Sequence, residues 1–75
     1  MNLWIYSQEK KMLLKVNDKV VVQAADGTDD YFIVVDDHIV GLFKSKERAL
    51  EVLKDIYHLL RRDYPDTKVY EIPKE

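Results

Sequence analysis

The chain has 75 residues, no cysteine and a formal net charge of −2 at pH 7. Residues 1–75 are therefore expected to form one small domain without a disulfide, a thiolate zinc site or a cysteine nucleophile, and the negative charge argues against general nucleic-acid binding. The N-terminal residues lack the features of a signal peptide, and no apolar run approaches the ~20 residues that span a bilayer, so we expect a cytoplasmic protein without membrane contact.

The sequence predicts six short strands, because apolar and β-branched residues recur in short runs separated by turn-forming residues. Asn17 with Asp18, the segment around Gly27, and Asp36 with Asp37 are predicted turns between consecutive strands. Connections this short join antiparallel neighbours, since a parallel crossover needs about a dozen residues. The predicted strands cover residues 3–6, 12–16, 19–24, 31–35, 39–43 and 67–72.

One long amphipathic helix is predicted between the fifth and sixth strands. Ser45 can cap its first turn, residues 46–63 contain neither glycine nor proline, and Tyr64 before Pro65 ends it. On a helical wheel the apolar side chains cover about half of the circumference, whereas an ordinary surface helix needs an arc of about 100°. The centre of this arc is formed by Ala49, Leu53, Ile56 and Leu60, and its flanks by Val52 and Leu59 on one side and Leu50 and Tyr57 on the other.

The fold class that follows is α+β: an antiparallel meander sheet with the long amphipathic helix packed across it, in the order βββββαβ. Several strands are hydrophobic on both faces, for example at residues 3–6 and 33–35, yet one helix covers only one face of a sheet. Either the sheet curls into a partial barrel, or a second subunit covers the remaining apolar surface. We expect a homo-oligomer, and the candidate interface residues on the helix flanks are Leu50, Val52, Tyr57 and Leu59. The alternative for these flanks is that the chain's own sheet wraps around the helix and covers both of them.

The sequence lacks the patterns of catalysis and of cofactor binding. Ser7 and Ser45 lie outside any nucleophile elbow, two glycines cannot build a phosphate-binding loop, and the acidic clusters fall in turns. His38 beside a turn and His58 on the polar face of the helix are expected to be solvated. We therefore predict that the protein is not an enzyme and carries no metal or cofactor.

Two segments have the composition of a ligand-binding surface. Aromatic side chains beside hydroxyl, amide and ammonium groups can stack a nucleobase and hold a phosphate, although the same pattern fits core aromatics followed by a solvated turn. Cations at the start of the helix offer a second site for an anion, because the N-terminus of a helix already attracts negative charge. The candidate residues are Trp4, Tyr6, Ser7, Gln8, Lys10 and Lys11 in the first segment, and Lys44, Lys46 and Arg48 in the second.

The same two regions carry a resemblance to a known group of proteins. Residues 4–10 read WIYSQEK and residues 41–53 read GLFKSKERALEVL. They are similar to short uncharacterised proteins of Gram-positive bacteria, their mobile elements and phages, which start W-I-x-S-Q-[D/E]-K and carry S/T-K-E-R-A-L-E-V-L. The common form has arginine at the position of Tyr6. The resemblance implies no established activity, but by analogy with other compact phage proteins it implies a homo-oligomer that sequesters a nucleotide-derived immune signal.

These observations lead to one expectation and two alternatives. We expect a non-enzymatic, homo-oligomeric binding protein of phage or prophage type that holds a small nucleotide-like ligand at a subunit interface. The alternative is a protein–protein adaptor or inhibitor that docks a host protein through Trp4, Tyr6 or the helix flank. Nucleic-acid binding is a third reading, disfavoured by the net charge of −2. It predicts an affinity that falls steeply with salt concentration.

Overall fold

The computed structural model describes residues 2–62 and 66–75, and within these ranges the elements follow the predicted order. Six strands and one helix form an α+β fold, and no strand boundary differs from its predicted position by more than one residue. The elements are β1 (Leu3–Tyr6), β2 (Leu13–Lys15), β3 (Val20–Ala24), β4 (Tyr31–Val35), β5 (His38–Phe43), α1 (Lys46–Leu60) and β6 (Lys68–Glu71).

The strands form two three-stranded sheets, ordered β2-β1-β6 and β3-β4-β5. The predicted meander is confirmed for β3, β4 and β5, which pair antiparallel in sequence order. The predicted hairpin at Asn17 and Asp18 is wrong, because β2 and β3 belong to different sheets and this link crosses between them. After the helix, β6 returns to lie parallel to β1.

The helix begins where the sequence predicts. The hydroxyl of Ser45 accepts a hydrogen bond from the backbone N–H of Arg48, which satisfies one of the unpaired amides of the first turn. The helix ends at Leu60 with Arg61 as its C-terminal cap, before the predicted end at residue 63. The predicted helix terminators Tyr64 and Pro65 lie outside the described residues.

The core lies between the helix and one face of each sheet. Residues 3 and 5 of β1, residues 33 and 35 of β4, and the helix residues Ala49, Val52 and Ile56 are buried together in one cluster. Each aliphatic side chain of this kind contributes about 1.5–3 kcal/mol when it is fully buried. The buried stripe of the helix contains Ala49 and Ile56 from the predicted centre of the arc and Val52 from one flank. Leu53 and Leu60 are half-buried, so the stripe is shifted from the predicted centre toward the Val52 flank.

A carboxylate holds the link at residues 17–19, where the chain crosses between the two sheets. Asp36 accepts hydrogen bonds from the backbone N–H groups of Asn17 at 2.7 Å and of Asp18 and Lys19 at 2.8 Å each. Asp36 and Asp37 form the two-residue connection between β4 and β5, with φ angles of 47° and 72°. Two positive φ angles match the twist of a tight hairpin and aim the Asp36 carboxylate at the neighbouring link. These backbone bonds, led by that of Asn17, hold the pKa of Asp36 below its ordinary value of 3.8.

The first prediction concerns this carboxylate. We expect Asp36→Asn to lower the free energy of unfolding at pH 7 by about 1–2 kcal/mol, because a neutral amide accepts these hydrogen bonds more weakly. Since the pKa is lowered on folding, the contribution is present above pH 3.8 and is lost as the pH falls through the folded-state value. Urea denaturation of both proteins across this range measures the difference.

Asp37→Asn is the matched control, because the same change is made at a neighbouring residue with the same sign of φ. We expect it to leave the pH dependence unchanged. An equal effect of the two substitutions would show that the Asp36 hydrogen bonds contribute no specific stability.

Candidate functional site

Four of the predicted binding residues lie in the turn after β1, and two of them, Ser7 and Gln8, have structural roles. Ser7 is 7% exposed. Its Oγ accepts hydrogen bonds from the backbone N–H groups of Lys11 at 3.1 Å and Met12 at 3.0 Å. Lys10 adopts a φ of 60° within this turn. Ser7 therefore shapes the turn that presents the lysines.

Gln8 joins the turn to β5 and to the C-terminal segment. Its side-chain oxygen accepts a hydrogen bond from Leu42 N–H at 2.9 Å, and its Nε2 lies 3.0 Å from Leu42 O. The same nitrogen lies 2.9 Å from the carbonyl oxygen of Pro73 and 3.0 Å from that of Lys74. The backbone N–H of Gln8 also donates to Val40 O at 2.7 Å. Gln8 thus pairs with the outer edge of β5 as a strand residue would.

Beside this turn lies a groove, the Lys11 groove, with a volume of about 400 Å³. Its floor belongs to the face of sheet β3-β4-β5 that points away from the helix, and Ile39 on that face is 57% exposed. Pockets for small ligands fall in the range of about 300–1,000 Å³. Its lining includes one cation, Lys11, one carboxylate, Glu9, and the apolar side chains of Met12, Phe32, Ile39 and Leu42.

Three ammonium groups lie close to the Lys11 groove. Lys10, Lys11 and Lys74 line a second, shallower concavity that shares Gln8, Glu9 and Lys11 with the groove. Lys10 Nζ lies 3.7 Å from Glu71 and Lys11 Nζ lies 3.6 Å from Glu9. Exposed pairs of this length contribute little free energy, so the lysines can exchange these carboxylates for another anion.

The two aromatic candidates lie on a different surface. Trp4 and Tyr6 are half-buried on the face of sheet β2-β1-β6 that points away from the core, opposite Lys15 and Leu13 respectively. On the other side Tyr6 is opposite Glu71, the partner of Lys10. The aromatic face therefore adjoins the lysines but does not line the Lys11 groove.

At the start of the helix, two of the three candidate anion-binding residues contact groups of the chain itself. Lys44 Nζ lies 3.0 Å from a carboxylate oxygen of Asp30. Arg48 donates from Nε to the backbone oxygen of Glu75 at 2.7 Å and lies 3.8 Å from Glu51. Lys46 is exposed beside them. None of these three cations lines the Lys11 groove or the concavity beside it.

The predicted interface residues differ in how far they are exposed. Leu50 and Tyr57 are 44% and 54% exposed, whereas Val52 is 0% exposed. Val52 belongs to the chain's own core and is not available to a partner, which corrects its assignment. Leu59, on the same flank as Val52, is half-buried. Leu50, Leu53, Tyr57 and Leu60 line a groove of about 370 Å³ together with Val20 of β3; we call these four helix residues the Leu50 flank.

Several kinds of site find no support in residues 2–62 and 66–75. His38 and His58 are exposed, and no cluster of acidic or histidine side chains is arranged to hold a metal ion. In the same ranges no helix has the length and apolar composition needed to cross a membrane. Comparison of the chain with models of protein families, with curated proteins and with solved structures yields no match.

Sequence reasoning missed Phe32, Ile39 and Leu42 as residues of the groove. The sequence did indicate a contact on this face. These strands carry large apolar residues on both faces, and the helix covers only one of them. What the sequence could not supply is the fold-back of residues 7–12 against this face.

The second prediction tests the structural role of Gln8. We expect Gln8→Glu to lower the free energy of unfolding by roughly 2 kcal/mol, because the change replaces a donor with an acceptor among three backbone carbonyl groups. Gln23→Glu is the matched control, since Gln23 lies exposed on β3 and its substitution is expected to stay within about 0.5 kcal/mol. Urea denaturation measures both, and equal stabilities would contradict the assigned role.

Proposed function

We propose that the chain is a non-enzymatic, homo-oligomeric binding protein that holds a small nucleotide-like ligand in the Lys11 groove. The observation that carries the proposal is the position of Lys11, where the apolar groove meets the concavity lined by Lys10 and Lys74. The phage or prophage origin follows from the sequence resemblance alone.

The chemistry of the groove supports this class of ligand. A planar base can lie on the apolar floor formed by Phe32, Ile39 and Leu42, while its phosphate contacts the ammonium groups at the rim. The one hydroxyl among the described residues lining the groove is that of Ser7, and its Oγ is bonded to two backbone amides. Binding without turnover is the function that this lining favours.

Exposed apolar side chains support self-association. Leu13, Ile39 and Tyr57 are each more than half exposed and lie on three different elements. Contiguous apolar surface marks a contact with a partner, and the exposed residues Leu50 and Tyr57 line one groove together. The Lys11 groove is built within one chain, so the proposed ligand site does not depend on which of these surfaces mediates oligomerisation.

The third prediction tests ligand binding. In a thermal-shift and calorimetric screen of cyclic dinucleotides and cyclic ADP-ribose-type nucleotides, we expect at least one to bind. Lys11→Glu should weaken that binding by roughly 10- to 100-fold, because it removes a charge-assisted contact to the phosphate. Lys46→Glu makes the same change in charge at the start of the helix and should leave the affinity unchanged.

Two results would contradict the ligand part of the proposal. One is the absence of binding by every nucleotide in the screen. The other is equal loss of affinity in both variants, which would indicate a general charge effect. A host protein recovered in stoichiometric amount with the chain, together with either result, would favour the adaptor or inhibitor instead.

A further inference from the structure

The edges of the two sheets differ in how they are protected. Natural proteins protect an open strand edge with charges, proline, short length or a covering segment, because its unpaired N–H and C=O groups otherwise recruit another strand. In sheet β2-β1-β6, edge strand β2 has three residues and ends at Lys15, and edge strand β6 begins with Lys68 and ends with Glu71. Both edges of this sheet are therefore short or charged.

In sheet β3-β4-β5 one edge is covered and the other is unprotected. The outer edge of β5 is covered by Gln8, which bonds Leu42 and Val40. The outer edge of β3, Val20–Ala24, reads VVVQA and contains neither a charge nor a proline. Within the described residues, β3 is the one edge strand without any of these protections.

The register identifies the backbone groups on the open edge. Asp36 N–H donates to Lys19 O, and Ala25 N–H donates to Asp30 O, each at 2.9 Å. Because hydrogen-bonded pairs alternate along an antiparallel ladder, the odd-numbered residues 19–25 face β4. The N–H and C=O groups of Val20, Val22 and Ala24 therefore point away from the sheet.

The apolar groove along the helix lies beside this edge. Val20 of β3 lines it together with the Leu50 flank, on which Leu50 and Tyr57 are exposed. A strand added to β3 passes next to this flank. The occupant must therefore supply both a free strand edge and apolar side chains for the groove.

We propose that the occupant is a second copy of this chain, whose β3 pairs antiparallel with β3 about a two-fold axis at Val22. In this register Val20 lies opposite the partner's Ala24, so that every outward backbone group of the strand is paired. The partner's helix brings its own Leu50 flank to the same place, as a self-complementary two-fold interface requires.

The inference rests on the self-association in the proposed function and adds the surface that mediates it. The fourth prediction measures the mass of the full chain by light scattering over a dilution series. We expect a dimer, and we expect folded monomers for Val22→Pro, which removes an outward N–H, and for Tyr57→Lys, which places a charge on the Leu50 flank. Tyr57→Lys should raise the dissociation constant about tenfold or more. Gln23→Lys adds the same charge to the other face of β3 and should remain dimeric.

Amide hydrogen exchange gives a test without substitution. In the dimer the N–H groups of Val20, Val22 and Ala24 should be protected, and dilution to the monomer should release them while those of Val21 and Gln23 stay protected by β4. If Val22→Pro does not fold, this exchange pattern and Tyr57→Lys decide the question.

The outcomes separate the two proposals. A wild-type chain that stays monomeric at all concentrations removes both the β3 interface and the self-association in the proposed function. An oligomer in which Val20, Val22 and Ala24 exchange freely, or which Tyr57→Lys leaves intact, overturns the β3 interface and retains self-association. Nucleotide binding by a monomer would leave the Lys11 groove as the ligand site in either case.

Discussion

Side chains that bond backbone groups of distant segments connect the two sheets. Gln8, just beyond β1 in one sheet, bonds β5 in the other and also the residues after β6. At the opposite end of sheet β3-β4-β5, Asp36 bonds the link that carries the chain from β2 to β3. These polar contacts add to the shared core, in which residues of both sheets pack with the helix. The shape of the Lys11 groove depends on the first of them.

Local structure was predictable because its causes are local. Turn-forming residues separate short apolar runs, and Ser45 precedes a segment of strong helix formers, so each element follows from its own sequence. The division into two sheets was not predictable in this way. It depends on Asp36 reaching residues 17–19 and on β6 returning to β1, and both are contacts between residues far apart in sequence. The helical wheel likewise gave the width of the apolar arc but not the side that the sheets would cover, which is why Val52 was misassigned.

The candidate site was predictable in part. Lys10 and Lys11 lie at the surface beside an apolar groove, in keeping with the binding chemistry proposed from the sequence. Ser7 and Gln8 were assigned to a ligand because their side chains are polar and close to aromatic residues. Their partners are backbone groups of the chain itself, and a sequence does not reveal which polar side chains will be used in this way. A short motif that includes serine and glutamine can therefore reflect side chains that stabilise a turn.

The parallel pairing of β1 with β6 has a consequence for how the molecule is assembled. The strand at residues 3–6 and the strand at residues 68–71 are the most distant elements of the chain, yet they are hydrogen-bonded neighbours. During synthesis on the ribosome β1 has only β2 as a neighbour until β6 has been made, whereas β3, β4, β5 and the helix can associate in sequence order. Closing so long a loop carries an entropic cost that grows with the logarithm of its length. The pairing of β1 with β6 can form only after β6 has been made, and a nascent chain shorter than this leaves the edge of β1 that pairs with β6 open to other strands.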